Sequence, residues 1–183
     1  MTPDRKAGKG RHRLELRQGS GAMTTKEPKP RRPLLLLIPP PILYAAVFGV
    51  GLSLDRLVPW SPHSMQSAPA RWIGWLCAIA AAVLGLASLS LFRLHGTTVI
   101  PQNRPARLVT GGPFAISRNP MYIALTFAYC AAAVLMARAW PLVVLPIPLC
   151  VIDRVVIPFE ERHMREVFGA AYADYCRRVR RWL

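Results

Sequence analysis

Two stretches of this chain, 34–54 and 72–92, each run for 21 residues without a charged side chain. At about 1.5 Å of rise per residue, about twenty helical residues cross the roughly 30 Å hydrocarbon layer of a bilayer. Both stretches therefore predict membrane-spanning helices. Two shorter apolar runs follow, 121–137 and 140–157, separated by Arg138. Each is near the lower limit of about 17 residues for a span, and a tight turn at 138–141 makes them an antiparallel helical hairpin, which either crosses as two spans or lies buried over 121–157 without crossing fully. The expected fold is all-α and integral to a membrane. It has about four transmembrane helices, the last two a hairpin, followed by a helical C-terminal segment.

Charge supplies the orientation. The chain has 24 Lys+Arg against 9 Asp+Glu, a formal charge of +15, yet only 18% of it is charged and 52% is hydrophobic. The basic residues must therefore cluster. Residues 1–33 hold ten Lys/Arg and three acids, with several Gly and Pro, and read as a disordered cytosolic tail beside anionic lipid. The tail has no aromatic residues to stack on bases, so nucleic acid is not an expected partner. The 93–120 segment holds four Lys/Arg and the C-terminal segment six, whereas Arg56, Arg71 and Arg138 fall on the opposite side. Positive charge stays on the cytosolic side, so both termini are expected there, at the inner (plasma) membrane if the source is bacterial. The basic region and the 21-residue apolar run are too long for a secretory signal, which makes 34–54 a retained span. Met23, followed by Thr24-Thr25-Lys26, offers an alternative start to Met1. The expected organisation is a basic tail, 1–33, and a membrane domain, 34–183.

Local signals refine this plan. Pro39-Pro40-Pro41 puts the start of the first regular helix near Pro41 or kinks it. Gly49-Val50-Gly51 reads as a close-packing patch. Residues 55–71 read as a loop with Pro59, Pro62 and Pro69, and Trp72 and Trp75 as interfacial aromatics. The four cysteines form no CxxC pair and the four histidines no HxxxH or HExxH spacing, so neither a disulfide framework nor a metal site is expected. Asp153 and Arg154 lie about one turn before the membrane exit at Pro158, close enough to snorkel. Asp153 is seven residues before Glu160, a spacing that shares a helical face if the helix continues through Pro158.

Two polar segments are expected on the cytosolic side. The first is GGPFAISRNPMY, from Gly111 to Tyr122. Gly-Gly-Pro makes a tight bend, and Asn119-Pro120 suits a helix start, with Asn as cap and Pro at the first helical position. Such a start can also present N–H groups to a ligand. The second is EERHMREVFGAAYADYCRRVRRW, from Glu160 to Trp182. Adjacent carboxylates at a membrane exit repel each other and suit a cationic partner, although acids also favour a helix N-terminus. Gly169 is expected to close a short helix, Tyr172 and Tyr175 share a face, and Arg177, Arg178, Arg180 and Arg181 with Trp182 read mostly as a membrane-surface anchor.

In order and spacing, these segments and the hairpin between them resemble the isoprenylcysteine carboxyl methyltransferase and phospholipid methyltransferase superfamily over about residues 95–183. The resemblance implies an integral-membrane methyltransferase using S-adenosylmethionine. Its cofactor pocket would form from 108–122 and 158–183, and no strand–GxGxxG–helix unit is present. It implies cofactor-binding roles for Asn119, Tyr122, Glu160, Glu161, Tyr172 and Tyr175. Arg118 or Arg178 would hold an anionic nucleophile or a phosphate. Asn119 resembles the phospholipid branch, where the prenylcysteine branch has His, and Arg180 stands where that branch often has Pro. The acceptor implied is lipophilic: a prenylcysteine-like carboxylate, a phospholipid amine or a small thiol. Two other readings compete. One is a catalytically silent scaffold of the same fold. The other is a relative of the NADPH-dependent sterol reductases, which are much longer and have more spans.

Overall fold

The computed structural model describes residues 38–94 and 107–183. The basic tail (1–33), both candidate start methionines and the first residues of the 34–54 stretch lie outside them. The described residues are helical, with no strand among them.

Helix α1 spans Pro40–Leu57. It begins at the second of the three prolines, since a first-turn residue has no intrahelical partner for its N–H. It also continues past the uncharged stretch. Residues 55–57 are helical, His63–Gln66 form a 3-10 turn, and Ala68 already opens the next helix, so the connection is shorter than the expected 55–71 loop. The reason is Asp55, only 3% exposed, which forms an ion pair with Arg138 and accepts a hydrogen bond from the Trp60 N–H at 3.4 Å. A buried carboxylate that has found a cation need not end a helix.

Helix α2 spans Ala68–Leu94, and only Gly74 and Ser88 are buried within it. Trp72, Trp75, Leu76, Ile79, Val83 and Leu86 are each more than half exposed. A helix so apolar and so exposed is made for hydrocarbon rather than water. Together with the continuous helical stretch Ala139–Arg178, it is one of two helices among the described residues that are long and apolar enough to cross a membrane. Helix α3, Pro120–Leu135, is apolar but shorter.

Small residues set the helix contacts. A Cβ on Gly74 would sit 2.8 Å from the Leu135 side chain, and one on Gly85 would sit 3.8 Å from Ala124, so α2 and α3 run antiparallel in close contact. A Cβ on Gly51 would lie 2.7 Å from the Pro141 Cα. Within Gly49-Val50-Gly51 it is thus Gly51 that packs, and nothing lies within 4 Å of a Cβ on Gly49.

The hairpin expected at 138–141 is present. Its corner is Ala137, at φ 52 in the left-handed region, with Ala137 N–H bonded to Val134 O and Arg138 N–H to Ala133 O. This pattern satisfies the last carbonyls of α3 and usually employs glycine. The corner is tied to the α1–α2 connection. Ser61 Oγ donates to Ala137 O at 2.7 Å, and Trp140 Nε1 donates to Val58 O at 2.7 Å. The chain then continues through α4 (Ala139–Val144), α5 (Pro146–Val151), a π turn at Ile152–Val156 and α6 (Ile157–Arg178). Pro158 explains the π turn: its ring would collide with the Arg154 carbonyl in an ordinary α-helix, and a wider turn absorbs the conflict. Tyr44, Tyr129, Ile152, Val156 and Ile157 form a buried cluster beside the turn.

Two substitutions test this packing by denaturation in detergent. Gly51→Ala forces the α1–α4 backbones apart and is expected to cost about 1–3 kcal/mol. Ala137→Gly relieves left-handed strain and is expected to stabilise by about 1 kcal/mol.

Candidate active site between the GGP loop and the C-terminal helix

The loop that precedes α3 is shaped by glycine. Gly112 has φ +59, and a Cβ there would lie 2.8 Å from Leu91 Cδ1, so position 112 requires glycine for conformation and for space. The 3-10 turn Gly112–Ala115 follows, with Phe114 buried and stacked edge-on against Phe92 of α2, ring centres 5.2 Å apart. The Tyr175 hydroxyl of α6 donates to Phe114 O at 2.6 Å. The GGP loop is thereby fixed to the C-terminal helix, bringing together the two polar segments read from the sequence.

Glu161 sits at their junction, 7% exposed. Arg118 Nη1 lies 3.1 Å from its Oε1. Arg181 grips the carboxylate with two prongs, Nε to Oε1 at 3.1 Å and Nη2 to Oε2 at 2.9 Å. Arg165 Nη2 adds a third cation at 3.6 Å. Arg118 is also nearly buried; its Nη1 donates to Cys176 Sγ at 2.7 Å, and its Nε is buried without a partner among the described residues.

The neighbouring carboxylate is arranged differently. Glu160 accepts a hydrogen bond from the Tyr122 hydroxyl at 2.8 Å and forms no ion pair among the described residues. Burial pushes its carboxyl up to about 7, and the Tyr122 hydrogen bond only partly opposes this. Tyr172 and Tyr175 lie side by side, both 4% exposed, ring centres 6.0 Å apart. Burial pushes both hydroxyls up, that of Tyr175 to about 12, so both remain protonated at neutral pH.

Of the arginines read as a surface anchor, Arg177, Arg178 and Arg180 are exposed, whereas Arg181, with Trp182, is drawn into the cluster by the chain after α6. That chain turns back at Val179 and lies against the GGP loop. Arg118 N–H donates to Arg180 O at 2.9 Å, and Arg181 O accepts from Ser117 Oγ at 3.1 Å and from Asn119 Nδ2 at 2.9 Å. Trp182 Nε1 donates to Asp153 Oδ1 at 3.0 Å, and Arg181 Nη1 lies 3.5 Å from the same oxygen. Asn119 precedes α3 as expected, but its side chain makes no capping bond; its amide is used on the tail instead. Arg177 and Arg178 are exposed, Arg177 paired with Asp174, while Arg178 makes no hydrogen bond or ion pair among the described residues.

Two further local readings change. Gly169, at φ 50 and ψ −122, kinks α6, and helix resumes after it. The helix does run through Pro158, but the π turn absorbs about one residue. Eight residues in an unbroken α-helix would put Asp153 and Glu161 about 80° apart, and the inserted residue reduces this to about 20°. Asp153 consequently shares its face with Glu161 rather than Glu160, and Arg181 reaches both. Arg154, 82% exposed and 3.5 Å from Asp153, remains at the surface.

Sequence reading missed Ser117, Asp153, Cys176, Arg181 and Trp182 as parts of this cluster. For Arg181 and Trp182 the available signal was their place in the C-terminal motif, which was outweighed by the run of four arginines.

The raised Glu160 carboxyl has a direct consequence. The unfolded chain ionises this group above about 4.5 and the folded chain above about 7, so ligand-free stability falls as pH rises across that window. Glu160→Gln removes the loss and is expected to stabilise the ligand-free protein by up to about 3 kcal/mol near pH 8. Its melting temperature should exceed wild type there and converge with it near pH 4.

A family model described as phospholipid methyltransferase (PEMT) matches residues 69–171, which include the GGP loop, the hairpin and both glutamates. No curated protein and no solved structure matches the chain. With more than half of its length matched, the chain belongs to the phospholipid methyltransferase family, within the isoprenylcysteine/phospholipid methyltransferase superfamily.

Proposed function

We propose that this protein transfers a methyl group from S-adenosylmethionine to a lipophilic acceptor at the cytosolic face of a membrane, with four spans and both termini on that side. One observation carries the reading: the cluster holds two complementary groups that are only partly satisfied among the described residues. Glu160 is a half-buried carboxylate without a cation, and Arg118 Nε is a buried donor without an acceptor among the described residues. Such groups are costly unless a ligand completes them. The amino-acid part of S-adenosylmethionine carries one ammonium and one carboxylate, which fit this pair.

When bound, S-adenosylmethionine supplies a sulfonium methyl group whose departure leaves a neutral thioether. Glu160 would hold the ammonium, oriented by the Tyr122 hydroxyl. Arg118 would hold the carboxylate, or an anionic group of the acceptor. Asn119, Tyr172 and Tyr175 shape the polar wall, and Glu161 contributes by fixing Arg118. Catalysis would come mainly from alignment and from exclusion of water. The acceptor, a phospholipid amine, a prenylcysteine-like carboxylate or a small thiol, would enter sideways from lipid. A carboxylate or thiolate acceptor needs no base, whereas an amine must lose a proton.

Calorimetry with S-adenosylmethionine on the detergent-purified full chain tests this. Micromolar binding by wild type, lost in Glu160→Gln, is expected, followed by incorporation of labelled methyl into a lipid extract. Well-folded wild type that binds nothing, with and without lipid, contradicts the proposal.

A further inference from the structure

The reading above leaves Arg181 without a role, yet it has more charged partners than any other arginine in the cluster. It grips Glu161 bidentately, approaches Asp153, and offers its own backbone carbonyl to Ser117 and Asn119. It lies beyond the family match, which ends at 171. The surrounding geometry shows what it does. Glu161 is buried, and Arg118 approaches it with Nη1 at 3.1 Å while its Nε stays without a partner among the described residues. Without a second strong partner, a buried carboxylate would draw the whole Arg118 fork onto itself, since arginine and carboxylate favour paired, two-pronged contact. Arg181 already occupies that geometry.

We propose that Arg181 is a positioning residue: by taking Glu161 in a two-pronged pair and tying the 117–119 loop to the C-terminal tail, it keeps the Nε edge of Arg118 available to an anionic group of the ligand. The ligand class is a carboxylate or phosphate oxygen. The inference rests on the methyltransferase reading for the identity of the ligand, but not for the tethering itself. Arg165 does not substitute, because it reaches Glu161 only at 3.6 Å and is 63% exposed. Asp153 and Trp182 brace Arg181 from the far side, which accounts for a carboxylate so near the apolar part of the helical rod.

The test uses the full chain in detergent, as wild type, Arg181→Gln, Arg181→Lys and the double variant Glu161→Gln/Arg181→Gln. Two readouts are taken well below each melting temperature: hydrogen exchange of peptides covering 114–122, and affinity for S-adenosylmethionine and for inorganic phosphate. Arg181→Gln is expected to speed exchange in 114–122, leave α1–α2 peptides unchanged, and weaken S-adenosylmethionine binding by about tenfold. Arg181→Lys, a cation with one prong, should recover only part of that loss. The double variant should bind better than Arg181→Gln, because no uncompensated carboxylate remains to capture Arg118. Loss of phosphate binding together with unchanged S-adenosylmethionine binding would assign the Nε edge to the acceptor's headgroup rather than to the cofactor, and supports the positioning role. Unchanged exchange in 114–122 overturns the proposal. So does faster exchange with unchanged affinity for both ligands, since Arg181 would then be structural alone. If wild type binds no S-adenosylmethionine, the methyltransferase reading fails, and exchange together with phosphate affinity still decides the role of Arg181.

Discussion

A buried carboxylate is costly unless it is paired, and Glu161 is paired from two distant parts of the chain. Arg118 approaches it from the loop before α3 and Arg181 from the tail after α6. Removing one partner from such a cluster typically costs about 3–5 kcal/mol, because the remaining charge is left uncompensated. The arrangement is therefore weak as a source of net stability and strong as a determinant of geometry. It requires the GGP loop and the C-terminal tail to be in place together, and the Tyr175–Phe114 and Ser117–Arg181 bonds follow from that closure. The two adjacent glutamates consequently differ in role: Glu161 is consumed by the protein's own cations, and Glu160 is left with a hydroxyl.

The helices below this cluster meet a different constraint. Between apolar helices in lipid the hydrophobic effect supplies little attraction, so close approach depends on small residues and buried polar links. Gly51 against Pro141 and Gly74 against Leu135 provide the first. The Asp55–Arg138 pair provides the second at the hairpin corner, and the Tyr44–Thr126 hydrogen bond, 3.0 Å, does so between α1 and α3. The exposed apolar side chains of α2 face outward from this scaffold. The π turn before Pro158 then sets the rotation of α6, and with it which carboxylates meet the tail.

Much of this was legible in the sequence because it depends on local periodicity and local chemistry. Uncharged runs gave the helices, Arg138 gave the corner, and the paired motifs gave the family and the two segments that meet. The unreadable parts depend on tertiary partners. Asp55 continues a helix because Arg138 lies across from it, which no window around residue 55 reveals. Arg181 and Arg178 look alike in a run of arginines, and only the turn at Val179 sends one inward and leaves the other exposed. Seven-residue spacing joined Asp153 to Glu160 until an inserted residue joined it to Glu161. Asn119 fits a capping position in composition, but the tail carbonyl competes for its amide.

The central claim is that the loop and the C-terminal segment form one cofactor site. Photoaffinity labelling of the full chain with an azido analogue of S-adenosylmethionine, followed by peptide mapping, tests it most directly. The account predicts label in 114–122 and 157–183, competed by unlabelled S-adenosylmethionine. Competable label confined to α1 and α2, or no competable label on folded protein, would contradict it.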